Sequence, residues 1–335
     1  MFREASEAAD AVEAQLGRLP DVLERLAADH AARRRSSFVT LARGSSDHAA
    51  TYAKYVIETR LGMLTCSAAP SVASLYETRS HLGESVLLAI SQSGRSPDLL
   101  AAVRAAREAG ACTVALVNDE TSPLAEISHY AIPLCAGAET GVAATKSFIA
   151  SLTAIAQLAG YWSEDGPLLG AIARLPEKLR QAWALDWSGA VPRLRDRESL
   201  YVVARGLGLG VAQEAALKLK ETCGQHAEAF SSAELRHGPV AIVRRGFPVL
   251  ALAQGDGTIE DMRRLLAELV MHGADVLSSG IDRAAGLSLP WIPAEPELQP
   301  VLHVQAFYRM ASELAIARGC DPDRPRHLRK VTETL

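Results

Sequence analysis

The chain lacks the features that mark several large functional classes. Its 335 residues include five cysteines, Cys66, Cys112, Cys135, Cys223 and Cys320, and no two of them form a Cys-x-x-Cys pair. An odd, scattered set reads as reduced thiols in a cytoplasmic protein rather than as a disulfide framework. There is no excess of positive charge. The formal net charge is −4, so nothing points to nucleic acid or an anionic membrane as a partner, although one site can still be locally positive. No apolar run reaches the length of a membrane span. The longest helical one, Phe148–Trp162, contains Ser151, Thr153 and Gln157 and reads as a buried core helix. The opening MFREASEAADAVEAQL is acidic from the start and does not resemble a signal peptide. Two motifs fail for want of a residue. Gly206-x-Gly208 is followed by Val211 where a dinucleotide fingerprint needs a third glycine. His226-Ala227-Glu228 is not followed by the Pro-Cys-x-x-Cys that a zinc deaminase needs.

What remains is a globular composition, 48% hydrophobic and 22% charged, on a chain long enough for two ordinary domains. Residues up to about Arg35 show helical spacing with a charged face. After them, short β-rich runs (Ser37–Ala42, Ser85–Ile90, Cys112–Val117, Tyr130–Leu134) alternate with helical runs such as Asp47–Arg60 and Pro97–Ala109. Continuous apolar strands between helices predict a doubly wound α/β unit with a parallel sheet. The pattern then repeats. SFVTLARGSS at 37–46 resembles SLYVVARGLG at 199–208, and VLLAISQSG, ending at Gly94, resembles PVLALAQGDG, ending at Gly257. Arg43 and Arg205 stand 162 residues apart, Gly94 and Gly257 163, so two copies of one unit are expected. The chain divides accordingly into a helical segment 1–36, a first unit 37–165, a helical linker 166–198 with a helix near Ala171–Trp183, a second unit 199–320, and a tail 321–335.

Several segments carry candidate chemistry. The run Ser91-Gln92-Ser93-Gly94-Arg95-Ser96-Pro97-Asp98 follows a predicted strand and opens a predicted helix. Ligands bind an open parallel sheet at that place, and free N–H groups at the start of a helix favour an anion. It is either a phosphate loop or an ordinary capped turn. Its counterpart, Gln254-Gly255-Asp256-Gly257, has lost the serines and gained an aspartate, so phosphate is expected at one copy only. Ser45 and Ser46, in the run Ala42–Asp47 that ends the first strand and starts its helix, can reach the same ligand or simply cap that helix. Thr140–Lys146 is a polar turn, able to close over a sugar or to be merely a loop. Glu214, Lys218 and Glu221 lie at i, i+4 and i+7, on one helical face. Spacing alone favours a solvated face with a Glu–Lys pair. His237 sits in a turn, where a lone histidine is more often structural or solvated. Lys330 ends a basic tail, which reads as an exposed terminus.

Taken together, SQSGRSPD, VAATKS, ALKLKE, SSAELRHGP and the lysine-bearing tail resemble the isomerase half of glucosamine-6-phosphate synthase. RGSSDHA, AAPSVASLY, VALVNDET and KVTETL are still more similar to the glucosamine-6-phosphate deaminases of the sugar-isomerase (SIS) type. The resemblance runs from about residue 37 to the end. It implies two tandem SIS domains, each doubly wound and flavodoxin-like around a central parallel sheet, with the tail closing the site.

The resemblance also implies roles. Ser91, Gln92, Ser93, Ser96 and Ser45 would bind the substrate phosphate. Ser46, Val142 and Ala143 would contact the sugar. Glu221 would move the proton between C1 and C2, with Lys218 assisting. His237, supplied by the neighbouring subunit of a homodimer, would open the ring. Lys330 would contact the open-chain sugar and can form an imine with a ketose. No metal or organic cofactor is implied. The expected reaction converts glucosamine 6-phosphate to fructose 6-phosphate and ammonia. The alternatives are synthase-type isomerisation, deamination of another sugar phosphate such as galactosamine 6-phosphate, or a sensor that binds without turnover. Against the synthase, the sequence starts Met1-Phe2 with no room for a glutaminase domain. It also carries Arg95, Ser96 and Ala144 where the synthase has an acidic residue, a threonine and a serine. Against the sensor, about 36 residues before the first strand are too few for a DNA-binding module, and Glu221, His237 and Lys330 are all present.

Overall fold

The computed structural model describes residues 1–33, 35–78, 80–282 and 286–330. They fall into two compact units, one comprising residues 10–139 and 146–174, the other 1–9, 140–145 and 175–330. The end of the tail, residues 331–335, with most of KVTETL, lies outside the described residues.

The first unit is built on five parallel strands, β1 (Ser37–Leu41), β2 (Leu64–Ser67), β3 (Ser85–Ser91), β4 (Cys112–Val117) and β5 (Tyr130–Pro133), in the order 2-1-3-4-5. β3 and β4 are buried at every position because helices cover both faces, which is why they read as unbroken apolar runs. β2 was not among the strands expected from sequence. It is a sheet edge with three of its four residues exposed, and Leu-Thr-Cys-Ser offers neither an apolar run nor alternation. The helix Lys146–Trp162 is buried from Lys146 to Gly160, as a core helix should be. Its polar residues fold back on their own backbone, Ser151 Oγ donating to Ser147 O at 2.8 Å and Thr153 Oγ1 to Ile149 O at 3.0 Å.

The second unit repeats the design with β6 (Ser199–Ala204), β7 (His226–Ser231), β8 (Pro248–Leu252), β9 (Asp275–Ser279) and β10 (Leu287–Ser288), all parallel, in the order 10-9-8-6-7. Read from the other edge, with β6 as first strand and β7 as second, this is again 2-1-3-4-5. That is the flavodoxin-like doubly wound order, so the two sheets match the duplication read from the Arg-Gly and Gly94/Gly257 anchors. Within this unit the helix Leu209–Cys223 packs against β6, β7 and the long helix Gln299–Ala317, itself buried along most of its length.

Two helical expectations are refined. The N-terminal segment is three helices, Phe2–Ser6, Ala8–Arg18 and Pro20–Arg33. The helix expected near Ala171–Trp183 is two, Gly166–Ala173 and Leu175–Ala184, broken at Arg174. Pro176 explains the break. It has no N–H to continue the earlier helix, but it fits the first turn of a new one.

Candidate functional site

In a 2-1-3-4-5 sheet the connections leave in opposite directions from β1 and β3, so the loops after these strands flank a crevice at their carboxyl ends. In the first unit those loops are Ala42–Gly44, leading into the helix Ser45–Leu61, and Gln92–Ser96, leading into the helix Pro97–Glu108. Serine donors stand in the second loop, at Ser93 and Ser96, and at the start of the helix that follows the first, at Ser45 and Ser46. Ser45 and Ser46 are half-buried, as are Gln92, Ser93 and Ser96. Ser96 is the N-cap of its helix, yet its hydroxyl makes no capping bond. Ser91 is buried, and its Oγ accepts the Gly94 N–H at 3.1 Å, which folds the loop back on itself. Gly94 has φ 63°, and a Cβ there would stand 2.2 Å from Ser122 Oγ, so only glycine fits. The loop is braced from the β4 side by Asn118 N to Gln92 O at 3.2 Å and Leu124 N to Gly94 O at 3.1 Å. Arg95 reaches Asp119 at 2.8 Å. The two loops are fastened together by Arg43, whose Nε and terminal nitrogen both reach Asp98 Oδ2, at 3.0 and 2.7 Å, with the Asp98 side chain fully buried.

The equivalent crevice of the second unit keeps this fastening but carries a carboxylate in its loop. Arg205 donates to Asp261 at 2.6 Å. Gln254 Nε2 donates to Arg205 O at 2.6 Å. Asp256 Oδ1 accepts the backbone N–H of Thr258 at 2.8 Å, just ahead of the helix Ile259–Met271. The aspartate gained in this copy thus bonds to the backbone of its own turn, where the first unit has serines.

The charged triad departs from the solvated face that spacing favoured. Glu214 is fully buried, the Lys218 side chain is 1% exposed, and only Glu221, at 21%, reaches solvent. Lys218 Nζ lies 3.2 Å from Glu214 Oε1 and 2.6 Å from Glu221 Oε2. The Tyr308 hydroxyl, on the helix Gln299–Ala317, donates to Glu214 Oε1 at 3.1 Å. Burial alone pulls the Lys218 ammonium down, but the Glu214 and Glu221 carboxylates outweigh it and hold the ammonium above its ordinary value. A fixed buried cation therefore anchors one partly exposed carboxylate. The partner that makes burial tolerable, Tyr308, is 94 residues away, and no local pattern reports it.

His237 is exposed at the C-cap of the five-residue helix Ser232–Arg236. Val142 is half-buried and Ala143 buried, in the segment 140–145 that belongs to the second unit. Sequence reasoning missed the residue that holds this segment. The carboxylate of Glu4, 6% exposed, accepts from Thr140 Oγ1 and from the Gly141 backbone N–H, both at 3.1 Å. Burial pushes the Glu4 carboxyl up, and the bonds from Gly141 and Thr140 outweigh that push and hold it below its ordinary value. Acidic residues spaced along an N-terminal helix gave no sign of this. Lys330, the last described residue, is half-buried, while Arg324 and Arg326–Arg329 before it are exposed as expected. The loop serines thus belong to the first unit, and Glu214, Lys218, Glu221, His237, Val142, Ala143 and Lys330 to the second.

The protein is thus a doubled, doubly wound α/β architecture with one serine-rich strand-to-helix loop and one largely buried Glu–Lys–Glu triad. The SIS domain family profile matches residues 33–160 and 193–278, and the chain belongs to that family. It is 42% identical to a protein of Silicibacter pomeroyi DSS-3 whose name assigns it provisionally to the phosphosugar isomerases, covering 96% of this chain and 99% of that one with a TM-score of 0.92. It is 25% identical to the C-terminal domain of glucosamine-fructose-6-phosphate aminotransferase from Francisella tularensis, covering 97% and 98% with a TM-score of 0.86. It is 34% identical over 304 residues to the isomerizing glutamine–fructose-6-phosphate aminotransferase of Pyrococcus horikoshii, covering 86% of this chain and 50% of that enzyme. The chain spans about half the length of the curated relatives it matches. Among the described residues no helix is long and apolar enough to cross a membrane.

Proposed function

We propose that the protein binds an amino-hexose 6-phosphate and moves a proton between its C1 and C2 with release of the amine, converting glucosamine 6-phosphate and water to fructose 6-phosphate and ammonia. The observation that carries this reading is the position of Glu221, the one solvent-reaching member of a buried triad, held at 2.6 Å by an ammonium that cannot leave. A rigid helix presents the carboxylate, and proton transfer next to a carbonyl needs such a base. His237 opens the sugar ring. Glu221 then takes the C2 proton and returns it at C1, which leaves an imine at C2, and water hydrolyses that imine to ketose and ammonia. Ser91, Gln92, Ser93, Ser96 and Ser45 hold the phosphate, Ser46, Val142 and Ala143 contact the sugar, and Lys330 meets the open chain. Ammonia release measured across a panel of amino-hexose 6-phosphates tests the reading and ranks glucosamine against galactosamine.

A second reading has support of its own. The identity shared with the Pyrococcus horikoshii aminotransferase favours the reverse assembly of glucosamine 6-phosphate from fructose 6-phosphate and ammonia. Supplying fructose 6-phosphate with an ammonium salt, and looking for amino sugar, separates the two directions.

If the serine loop holds the phosphate, Ser93→Ala should raise KM by about 10-fold or more and change kcat much less, the mark of binding lost equally from ground and transition states. An unchanged KM would sink the assignment. Because His237 is proposed to act in the site of a neighbouring subunit, a two-fold homodimer with shared sites is expected. Inactive Glu221→Gln protein mixed with inactive His237→Ala protein should then regain activity as subunits exchange. Full activity from a demonstrated monomer contradicts this.

A further inference from the structure

Asp261 is engaged by more donors than an ordinary surface aspartate. Its Oδ2 accepts from Arg205 at 2.6 Å and from Ser232 Oγ at 2.7 Å, and its Oδ1 accepts from Arg236 at 2.8 Å. Arg236 is fixed a second time, its Nε donating to Glu268 at 3.1 Å. Burial would raise the Asp261 carboxyl, and the bonds from Ser232, Arg205 and Arg236 outweigh it and hold it below its ordinary value. Ser232 is the first residue of the helix Ser232–Arg236 and Arg236 the last, so one carboxylate grips both ends of that helix. Five residues cannot hold a helix by themselves. The buried Leu235 and these tethers fix the helix, and His237 caps it.

The duplication shows what is special here. Asp98 occupies the same place in the first unit, pairing with Arg43 as Asp261 pairs with Arg205. In the first unit the pair fastens the two loops of the anion crevice. The short helix after the second strand there is Pro70–Ser74, so Pro70 and Ser74 stand where the second unit has Ser232 and Arg236, and its last residue is a serine in place of the arginine. The added tether occurs in the copy that carries the histidine.

We infer that the Arg–Asp pair is a duplicated latch put to two uses: Asp98 sets the phosphate loop, and Asp261, through Ser232 and Arg236, is a positioning residue that sets the imidazole of His237. The catalytic half of this inference rests on the proposed ring-opening role of His237. The geometric half does not.

The two halves are separated by the test. In the full chain, Asp261→Asn should lower kcat for glucosamine 6-phosphate by about 10- to 100-fold, the scale of a misplaced catalytic group, and leave KM within about threefold. Asp98→Asn should do the opposite, raising KM by about 10-fold with a smaller effect on kcat. Arg236→Gln, which cuts the tether from the other side, should match Asp261→Asn, and the double variant should cost little more than either alone, since both remove one interaction. The second readout is the His237 ring Cε1 resonance in carbon-13-labelled protein, assigned by its loss in His237→Ala. It should move in Asp261→Asn and in Arg236→Gln and stay in place in Asp98→Asn. An unmoved resonance with wild-type kcat in Asp261→Asn overturns the latch. If Asp261→Asn does not fold, Arg236→Gln carries both readouts. If His237→Ala turns over at the wild-type rate, the proposed role of the histidine falls, and the resonance alone still decides whether Asp261 positions it.

Discussion

Replacing Glu221 with glutamine should lower kcat by about 10²–10⁴-fold, the usual contribution of a general base, and leave KM within a few-fold. The amide keeps the shape of the side chain and can still meet Lys218, but it cannot take a proton. Glu214→Gln should do much less to turnover. Glu214 is fully buried, so it acts through Lys218 and does not reach a substrate itself. The comparison matters because both carboxylates lie within 3.2 Å of the same ammonium. Washing of solvent tritium into C1 of fructose 6-phosphate reads the proton transfer without ammonia release. If Glu221→Gln exchanges tritium at the wild-type rate, Glu221 is not the base.

Replacing Lys218 with methionine should cost about 3–5 kcal/mol of folding stability, the scale for breaking a buried ion pair from one side. The methionine fills much of the volume and leaves Glu214 buried without its ammonium. Adding Glu214→Gln should recover most of the loss, because the amide removes the uncompensated charge. Chemical denaturation of the two variants makes the comparison. The pH dependence has a definite sign. The folded state holds Lys218 above its ordinary value of 10.5. A raised lysine stabilises fully below that value and loses its contribution only as pH rises through the folded one. The gap between wild type and Lys218→Met should therefore be flat across neutral pH and close only in strong alkali. A gap that shrinks between neutrality and the ordinary lysine value would mean that the pair does not hold the proton as described.

Much of the architecture was legible in the chain because burial writes a strong pattern. β3 and β4, covered on both faces, leave continuous apolar runs, and the loops that follow sheet strands recur at a fixed distance in the two copies. β2 left no pattern because it is an exposed edge. The break at Arg174 is marked in sequence by Pro176 alone, inside an otherwise helical run.

The site was legible as residue types and less so as environment. Glu214, Lys218 and Glu221 were picked out by spacing, but their burial depends on the helix Gln299–Ala317 and the hydroxyl of Tyr308, which are remote in sequence. The tethers were harder still. Glu4 reaches the turn at 140–141, and Asp261 joins Arg205, Ser232 and Arg236. Each is an ordinary acidic residue on a helix until the segments it ties are folded around it. The serine loop is a strand-to-helix turn in the sequence and in the structure alike, while the need for glycine at Gly94 comes from Ser122, whose Oγ stands 2.2 Å from where a Cβ would be.

The central claim is that a proton leaves C2 of an amino-hexose 6-phosphate and the amine follows. Glucosamine 6-phosphate carrying deuterium at C2 tests it in one reaction, read by proton NMR alongside an ammonium assay. The expected result is fructose 6-phosphate and ammonium in equal amounts, with the deuterium gone from C2 to C1 or to water. Sugar phosphate recovered with its deuterium still at C2, and no ammonium formed, would contradict the account.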